Sequence, residues 1–83
     1  MSEILGIFES KDVIEYLESR GILAQYQKAK NILLSGDKNR VLFKKRQPHS
    51  DDIWSFRVNK QFRAHGKFDL NGDLIIFRIN NHQ

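Results

Sequence analysis

The sequence predicts an α+β domain in which a helical hairpin packs on one face of a small antiparallel sheet. Before Gly36, apolar residues recur every three or four positions, which is typical of amphipathic helices. After Gly36 they alternate with polar residues, which is typical of strands with one buried face. A chain of 83 residues is long enough for one hydrophobic core. We therefore expect one domain over residues 1–83, in the order β-α-α-β-β-β or with one further strand.

The first two elements are predicted to be a strand and a helix. The apolar run at residues 4–8 is too short for a helix and predicts a strand. Ser10 is a favourable N-cap residue, and Asp12 follows in the first turn, where the helix dipole favours negative charge. Gly21 is typical of a helix C-terminus, so the first helix is expected to end there.

A second helix is predicted at residues 22–34 and is expected to end at Ser35 and Gly36. Its apolar stripe repeats at spacings of four, three and four. The stripe consists of Ile22, Tyr26, Ala29 and Leu33. Because almost no residues separate the two helices, they are expected to form an antiparallel hairpin.

The second half of the chain predicts four strands. They cover residues 41–47, 54–58, 62–68 and 73–79. Asn71 and Gly72 both tolerate positive φ and are a strong signal for a tight hairpin before the last strand. Because the turns between these strands are short, we expect consecutive strands to be antiparallel neighbours.

Alternation places a group of cationic side chains on the sheet face that points away from the helices. If Trp54, Phe56 and Val58 pack on the helices, the intervening residues point to the opposite, outer face. That outer set contains Arg57, Arg63, His65, Lys67, Arg78 and either Lys44 or Lys45. Like charges on neighbouring strands repel each other unless an anion binds between them. Arginine can donate two parallel hydrogen bonds to the oxygens of a phosphate group. The alternative is that these arginines form salt bridges with Asp51, Asp52, Asp69 or Asp73.

Composition excludes several classes of protein. Residues 37–83 carry ten basic and five acidic side chains, whereas residues 1–36 carry four basic and five acidic ones. A basic half attracts phosphate backbones or acidic partners. The chain has no cysteine, so it has no disulfide framework, thiol nucleophile or thiolate metal site. No apolar run approaches the length of a membrane helix, and no signal sequence begins the chain, so we expect a soluble cytoplasmic protein.

Two strings resemble a known family. Residues 53–63 read Ile-Trp-Ser-Phe-Arg-Val-Asn-Lys-Gln-Phe-Arg, and residues 77–82 read Phe-Arg-Ile-Asn-Asn-His. The first resembles the strand pair of the RelE/ParE superfamily of bacterial toxins, in which an aromatic-x-x-Arg-aliphatic strand turns into one that opens with aromatic-Arg. The second resembles the closing strand of that superfamily, which runs into a His near the C-terminus. The element order is also similar, so the resemblance covers nearly the whole chain.

The resemblance implies the toxin of a type II toxin–antitoxin system, which cuts mRNA on the ribosome without a metal or cofactor. In such enzymes the 2′-hydroxyl attacks the adjacent phosphate, giving a cyclic phosphate. Arg63 matches the phosphate-stabilising residue, Arg57 a supporting one, and His82 the terminal acid/base residue. The remaining cations are expected to bind RNA and the ribosome, namely Lys44, Lys45, Arg46, Lys60, Lys67 and Arg78. The expected partners are the cognate antitoxin protein, the ribosome and mRNA, with no membrane and no small-molecule cofactor.

Some positions depart from the family pattern. No Tyr follows His82, and no acidic residue is clearly placed as a general base, so the base is not assigned. His65 is either an internal proton donor or a solvated strand residue. Ser55 has no neighbouring His in a recognisable triad, and three scattered His give no metal-ligand spacing. The alternative functions are a ParE-like DNA gyrase poison and a non-catalytic relative that binds RNA or protein.

Overall fold

The structure, a computed structural model, describes residues 4–81. Its strands are β1 (Gly6–Glu9), β2 (Lys44–Lys45), β3 (Trp54–Arg57), β4 (Phe62–Phe68) and β5 (Asp73–Asn81). Its helices are α1 (Lys11–Ser19) and α2 (Leu23–Leu34), with short 3₁₀ turns at Asn39–Val41 and His49–Asp51. The two helices pack against a mixed sheet of order β1-β5-β4-β3-β2, so the predicted α+β class is confirmed. Within residues 4–81, no helix is long and apolar enough to cross a membrane.

The sheet is not wholly antiparallel, so that part of the prediction was wrong. Strands β2 to β5 pair antiparallel in sequence order, but β1 lies at the edge of the sheet and pairs parallel with β5. Turn chemistry determines only how consecutive strands pair. Because the rest of the domain connects β1 to β5, their pairing is a long crossover, which permits parallel strands.

The helical hairpin forms as predicted. The Ser10 hydroxyl oxygen accepts a hydrogen bond from the Val13 backbone N–H at 3.3 Å and caps α1. Gly21 has a φ of 69°, the left-handed conformation in which glycine is favoured, and it separates the helices. The buried stripes of α1 and α2 meet the inner sheet face in one core. That core comprises Ile7, Val13, Leu17, Ile22, Tyr26, Ala29, Leu33, Val41, Phe56, Val58, Phe62, Ala64, Leu74 and Ile76.

The predicted strand at residues 41–47 is largely absent. Asn39–Val41 forms a 3₁₀ turn, Leu42 follows with a φ of 53°, and only Lys44–Lys45 joins the sheet. Val41 is buried in the core, so its apolar character serves packing and not strand alternation. Because β2 pairs only with Trp54 and Ser55, no strand within the described residues covers the edge of β3 at Arg57.

A bulge changes the face that the end of β5 presents. The register shifts between His65 and Gly66, so that Arg78 lies opposite His65 and Ile79 lies opposite the buried Ala64. Strict alternation along β5 would put Ile75 and Ile79 on one face, but the bulge places them on opposite faces. The bulge moves Arg78 to the same face as His65.

Candidate functional site

Two arginines lie directly opposite each other on the outer sheet face. Strands β3 and β4 pair so that Arg57 faces Arg63, and Asn80 of β5 lies on the other side of Arg63. Both arginines are half-buried. Directly opposed side chains on antiparallel strands sit about 5 Å apart at Cβ, so the two cationic side chains start from neighbouring positions on the sheet.

Arg63 carries an unused hydrogen-bond donor. Its Nη1 is buried and has no acceptor among residues 4–81. Arg57 donates its Nε–H to the backbone carbonyl of Asn59 at 3.2 Å, and it forms no ion pair with a carboxylate in that part of the chain. Buried N–H groups are almost always paired, and a charged one left unpaired is unfavourable. An anion bound beside Arg63 would balance its positive charge.

The alternative of salt bridges from these arginines to aspartates does not describe the structure. Between described residues the ion pairs are Lys30–Glu9 at 3.1 Å and Lys45–Asp52 at 2.9 Å. The hydrogen bond and positive charge of Lys45 lower the pKa of Asp52. Asp69 instead accepts hydrogen bonds from backbone N–H groups in its own turn. The outer arginines are thus left without neutralising carboxylates among residues 4–81.

A cavity opens beside Arg63. It has a volume of about 360 Å³ and is lined by Asn39, Leu42, Phe43, Lys44 and Arg63. The left-handed turn at Leu42 brings the chain into β2 at this point, so that Lys44 and Arg63 both face the cavity. Two cations and no carboxylate line it, which suits an anionic ligand.

His65 is buried, so the expectation of a solvated residue was wrong. It is only 4% exposed, and its Nδ1 lies 2.9 Å from Nη2 of Arg78. Arginine only donates hydrogen bonds, so Nδ1 must be the acceptor and the proton of the neutral ring must be on Nε2. His65 therefore fixes the position of the Arg78 guanidinium.

Ser55 lies directly opposite His65, a neighbour that the sequence did not indicate. Its hydroxyl is buried and has no hydrogen-bond partner within the described chain. However, the neutral ring of His65 has Nδ1 occupied by Arg78 and its proton on Nε2, so it offers no free basic nitrogen. This pair lacks the arrangement that activates a serine nucleophile.

The other predicted residues are spread more widely. Lys45 forms an ion pair with Asp52. Lys67 of β4 is exposed and lies opposite Ile75 of β5, and Lys60 is exposed in the β3–β4 turn. Arg46 is half-buried after β2. His82 lies outside the described residues. The structure thus brings together Lys44, Arg57 and Arg63, with Arg78 nearby through His65.

Sequence reasoning missed two cations. Lys28 of α2 and Arg40 of the first 3₁₀ turn line a groove together with Arg57 and Lys60. Neither lies on a predicted strand face, and only the tertiary packing of α2 against the β3–β4 turn brings them to this surface. Residues 4–81 contain no group of three or more His, Asp or Glu side chains suited to a metal ion.

Comparison with known proteins adds no family assignment. No protein-family model matches the chain, and no curated protein matches it either.

Proposed function

We propose that this protein has a RelE-like fold and is the toxin of a type II toxin–antitoxin pair. It would cut mRNA on the ribosome without a metal ion. The observation that carries this proposal is Arg63, which lies opposite Arg57, has no carboxylate partner among residues 4–81 and lines an open cavity together with Lys44. A phosphate group suits neighbouring arginines, because a guanidinium can donate two hydrogen bonds to its oxygens.

The proposed reaction begins with the scissile phosphate bound to Arg63. The 2′-hydroxyl of one nucleotide attacks the phosphorus, and the bond to the 5′-oxygen of the next nucleotide breaks. Negative charge grows on the phosphoryl oxygens during the attack, and Arg63, Arg57 and Lys44 supply fixed positive charge. A preorganised donor of this kind commonly contributes about 3 kcal/mol to the transition state.

Proton transfer is assigned by resemblance to His82, which would protonate the leaving 5′-oxygen. The cavity beside Arg63 has no carboxylate in its lining, so the described residues supply charge stabilisation and not an evident base. This feature favours the second candidate, a relative that binds its target without cutting it. The second candidate includes a ParE-like gyrase poison.

A ribosome-dependent cleavage assay with purified protein separates these candidates. Arg63→Ala should lose on the order of 100-fold or more in cleavage rate, because it removes a phosphate donor. His82→Gln should lose a similar factor if His82 transfers the proton. The matched control is Arg20→Ala, which removes an exposed arginine that stacks over the Tyr16 ring and should leave the cleavage rate normal.

Two outcomes would contradict the proposal. A folded Arg63→Ala protein that cuts mRNA as fast as wild type would show that Arg63 does not bind the scissile phosphate. A wild-type protein that leaves ribosome-bound mRNA intact but inhibits DNA gyrase would support the second candidate instead.

A further inference from the structure

A second cationic surface lies on the side of β3 that β2 leaves uncovered. Helix α2, the first 3₁₀ turn and the β3–β4 turn surround a groove of about 420 Å³. Its cationic residues are Lys28, Arg40, Arg57 and Lys60. We call these four residues the groove cations.

The groove cations have no carboxylates to balance them. No acidic residue lines the groove, and none of the four forms an ion pair with any residue from 4 to 81. The rest of the lining is apolar or carries side-chain amides. Four positive charges around one groove repel each other, so the surface is suited to a ligand that carries several negative charges.

The groove is held in shape by Asn59. Its Oδ1 accepts hydrogen bonds from the N–H groups of Gln61 and Phe62, both at 2.8 Å, and so fixes the turn. Its Nδ2 donates to Oε1 of Gln25 on α2 at 2.6 Å, which ties the turn to the helix. Its backbone carbonyl accepts from Arg57. The groove is thus preorganised, which lowers the entropy lost on binding.

The lining indicates recognition of a backbone and not of bases. No aromatic ring lines the groove, so it has no platform for base stacking. Gln25 and Asn59, the amides able to read base edges, are bonded to each other. Cations without such groups bind phosphates independently of sequence.

Arg57 connects the groove to the site described above. It lines the groove and lies directly opposite Arg63. We propose that the groove binds the phosphate backbone of the single-stranded RNA that extends from the scissile phosphate at Arg63. This inference rests on the proposed function, because Arg63 defines where the strand is cut.

Binding of a fluorescent oligouridine tests this proposal. The oligonucleotide is fully 2′-O-methylated, so it has no attacking hydroxyl and binding is measured separately from cleavage. The test protein is Lys28→Gln with Arg40→Gln, and the control is Lys11→Gln with Arg20→Gln on α1, which removes the same charge. Dissociation constants are measured by fluorescence anisotropy over a series of salt concentrations.

The groove variant should bind about tenfold or more weakly. Its slope of log affinity against log salt should fall by about 1.4, since each phosphate contact to a single strand contributes about 0.7. The α1 control should keep the wild-type slope. If the groove variant unfolds at a lower temperature, Lys60→Gln in the exposed turn replaces it, with an expected fall of about 0.7 in slope.

The proposal would be overturned if the groove variant and the α1 control lost the same amount of RNA affinity. It would also be overturned if the groove variant kept the wild-type slope of log affinity against log salt. Tighter binding of polyglutamate than of the oligonucleotide, with the same dependence on Lys28 and Arg40, would mean that the groove takes an acidic peptide instead. Failure of the proposed function gives a different result, in which wild-type protein binds the methylated strand through the groove but cuts no mRNA.

Discussion

The position of Arg63 favours ligand binding at the expense of the stability of the fold. It faces Arg57, and its buried Nη1 lacks an acceptor within residues 4–81, so both features oppose folding. Arg63→Met keeps an unbranched apolar stem and removes the charge. It should raise the free energy of unfolding by about 1 kcal/mol, or the unfolding temperature by about 4–8 °C.

Thermal unfolding with and without sulfate measures this effect. Sulfate should stabilise the wild-type protein more than Arg63→Met, because the anion binds only where the Arg63 charge is present. Arg20→Met is the control and should show no gain in stability. A clear loss of stability in Arg63→Met would show that the guanidinium serves the fold.

Tyr26 predicts how stability depends on alkaline pH. Its ring is fully buried, and burial together with the hydrogen bond to Glu9 at 2.8 Å raises the pKa of the hydroxyl far above the usual value of about 10. Below about pH 10 both states keep the proton, so Tyr26 adds no pH dependence. Above it only the unfolded state ionises, and stability should fall by about 1.4 kcal/mol per pH unit.

Denaturant unfolding between about pH 9 and 11 tests this prediction against Tyr26→Phe. Lysine titration is common to both proteins and cancels in the difference. The phenylalanine variant should be less stable at neutral pH, since Glu9 loses a donor and keeps only Lys30. It should also lose stability less steeply at high pH. Identical slopes would mean that Tyr26 ionises in the folded protein.

Individual side chains differ in how far the sequence predicts them. Period-two alternation correctly put Arg57 and Arg63 on one face, because it depends only on local strand geometry. The burial of His65 could not be predicted this way, because it depends on Arg78 thirteen residues later in the chain. The role of Glu9, which bonds to Tyr26 and Lys30 on α2, was missed for the same reason.

At the scale of elements, the bulge between β4 and β5 depends on Gly66. A Cβ atom there would lie 2.7 Å from the backbone oxygen of Ile75, and a backbone atom has little freedom to move. Gly66→Ala should therefore lower the free energy of unfolding by about 1–3 kcal/mol. The control is Gly6→Ala, whose Cβ would first meet the side chains of Phe8 and Asp73, and side chains can rotate away more easily than a backbone atom can move.

Chemical denaturation of both alanine variants measures the difference. The bulge also sets Arg78 opposite His65, so Gly66→Ala should weaken RNA cleavage as well as stability. A Gly66→Ala protein as stable as Gly6→Ala would show that the strands separate easily at the bulge.

The helices and hairpins were more predictable than β2. Capping at Ser10, the glycine at Gly21 and the Asn71-Gly72 turn are local signals, and each has the predicted position. The short β2 follows from Leu42 at positive φ, which is uncommon for leucine, and from Val41 packing in the core. Both depend on tertiary contacts that no local pattern encodes.

At the scale of the whole molecule, charge and topology act together. The basic second half supplies most of the outer sheet face and two sides of the groove, whereas Lys28 comes from the acidic first half. The parallel pairing with β5 makes β1 the edge strand on the side of the sheet away from this surface. The charge of the halves was predictable from composition, but the groove requires the packing of α2 beside β3.

The distribution of fixed charge predicts that cleavage does not depend on added metal. In the proposed reaction, positive charge at the phosphate comes from Arg57, Arg63 and Lys44. Cleavage should therefore persist in excess EDTA when polyamines hold the ribosomal complex together. Sedimentation of the complex is the control, because ribosomes that dissociate would stop cleavage for a different reason. If cutting stops in intact complexes and zinc or manganese restores it, the arginines do not replace a metal and the reaction is metal-assisted.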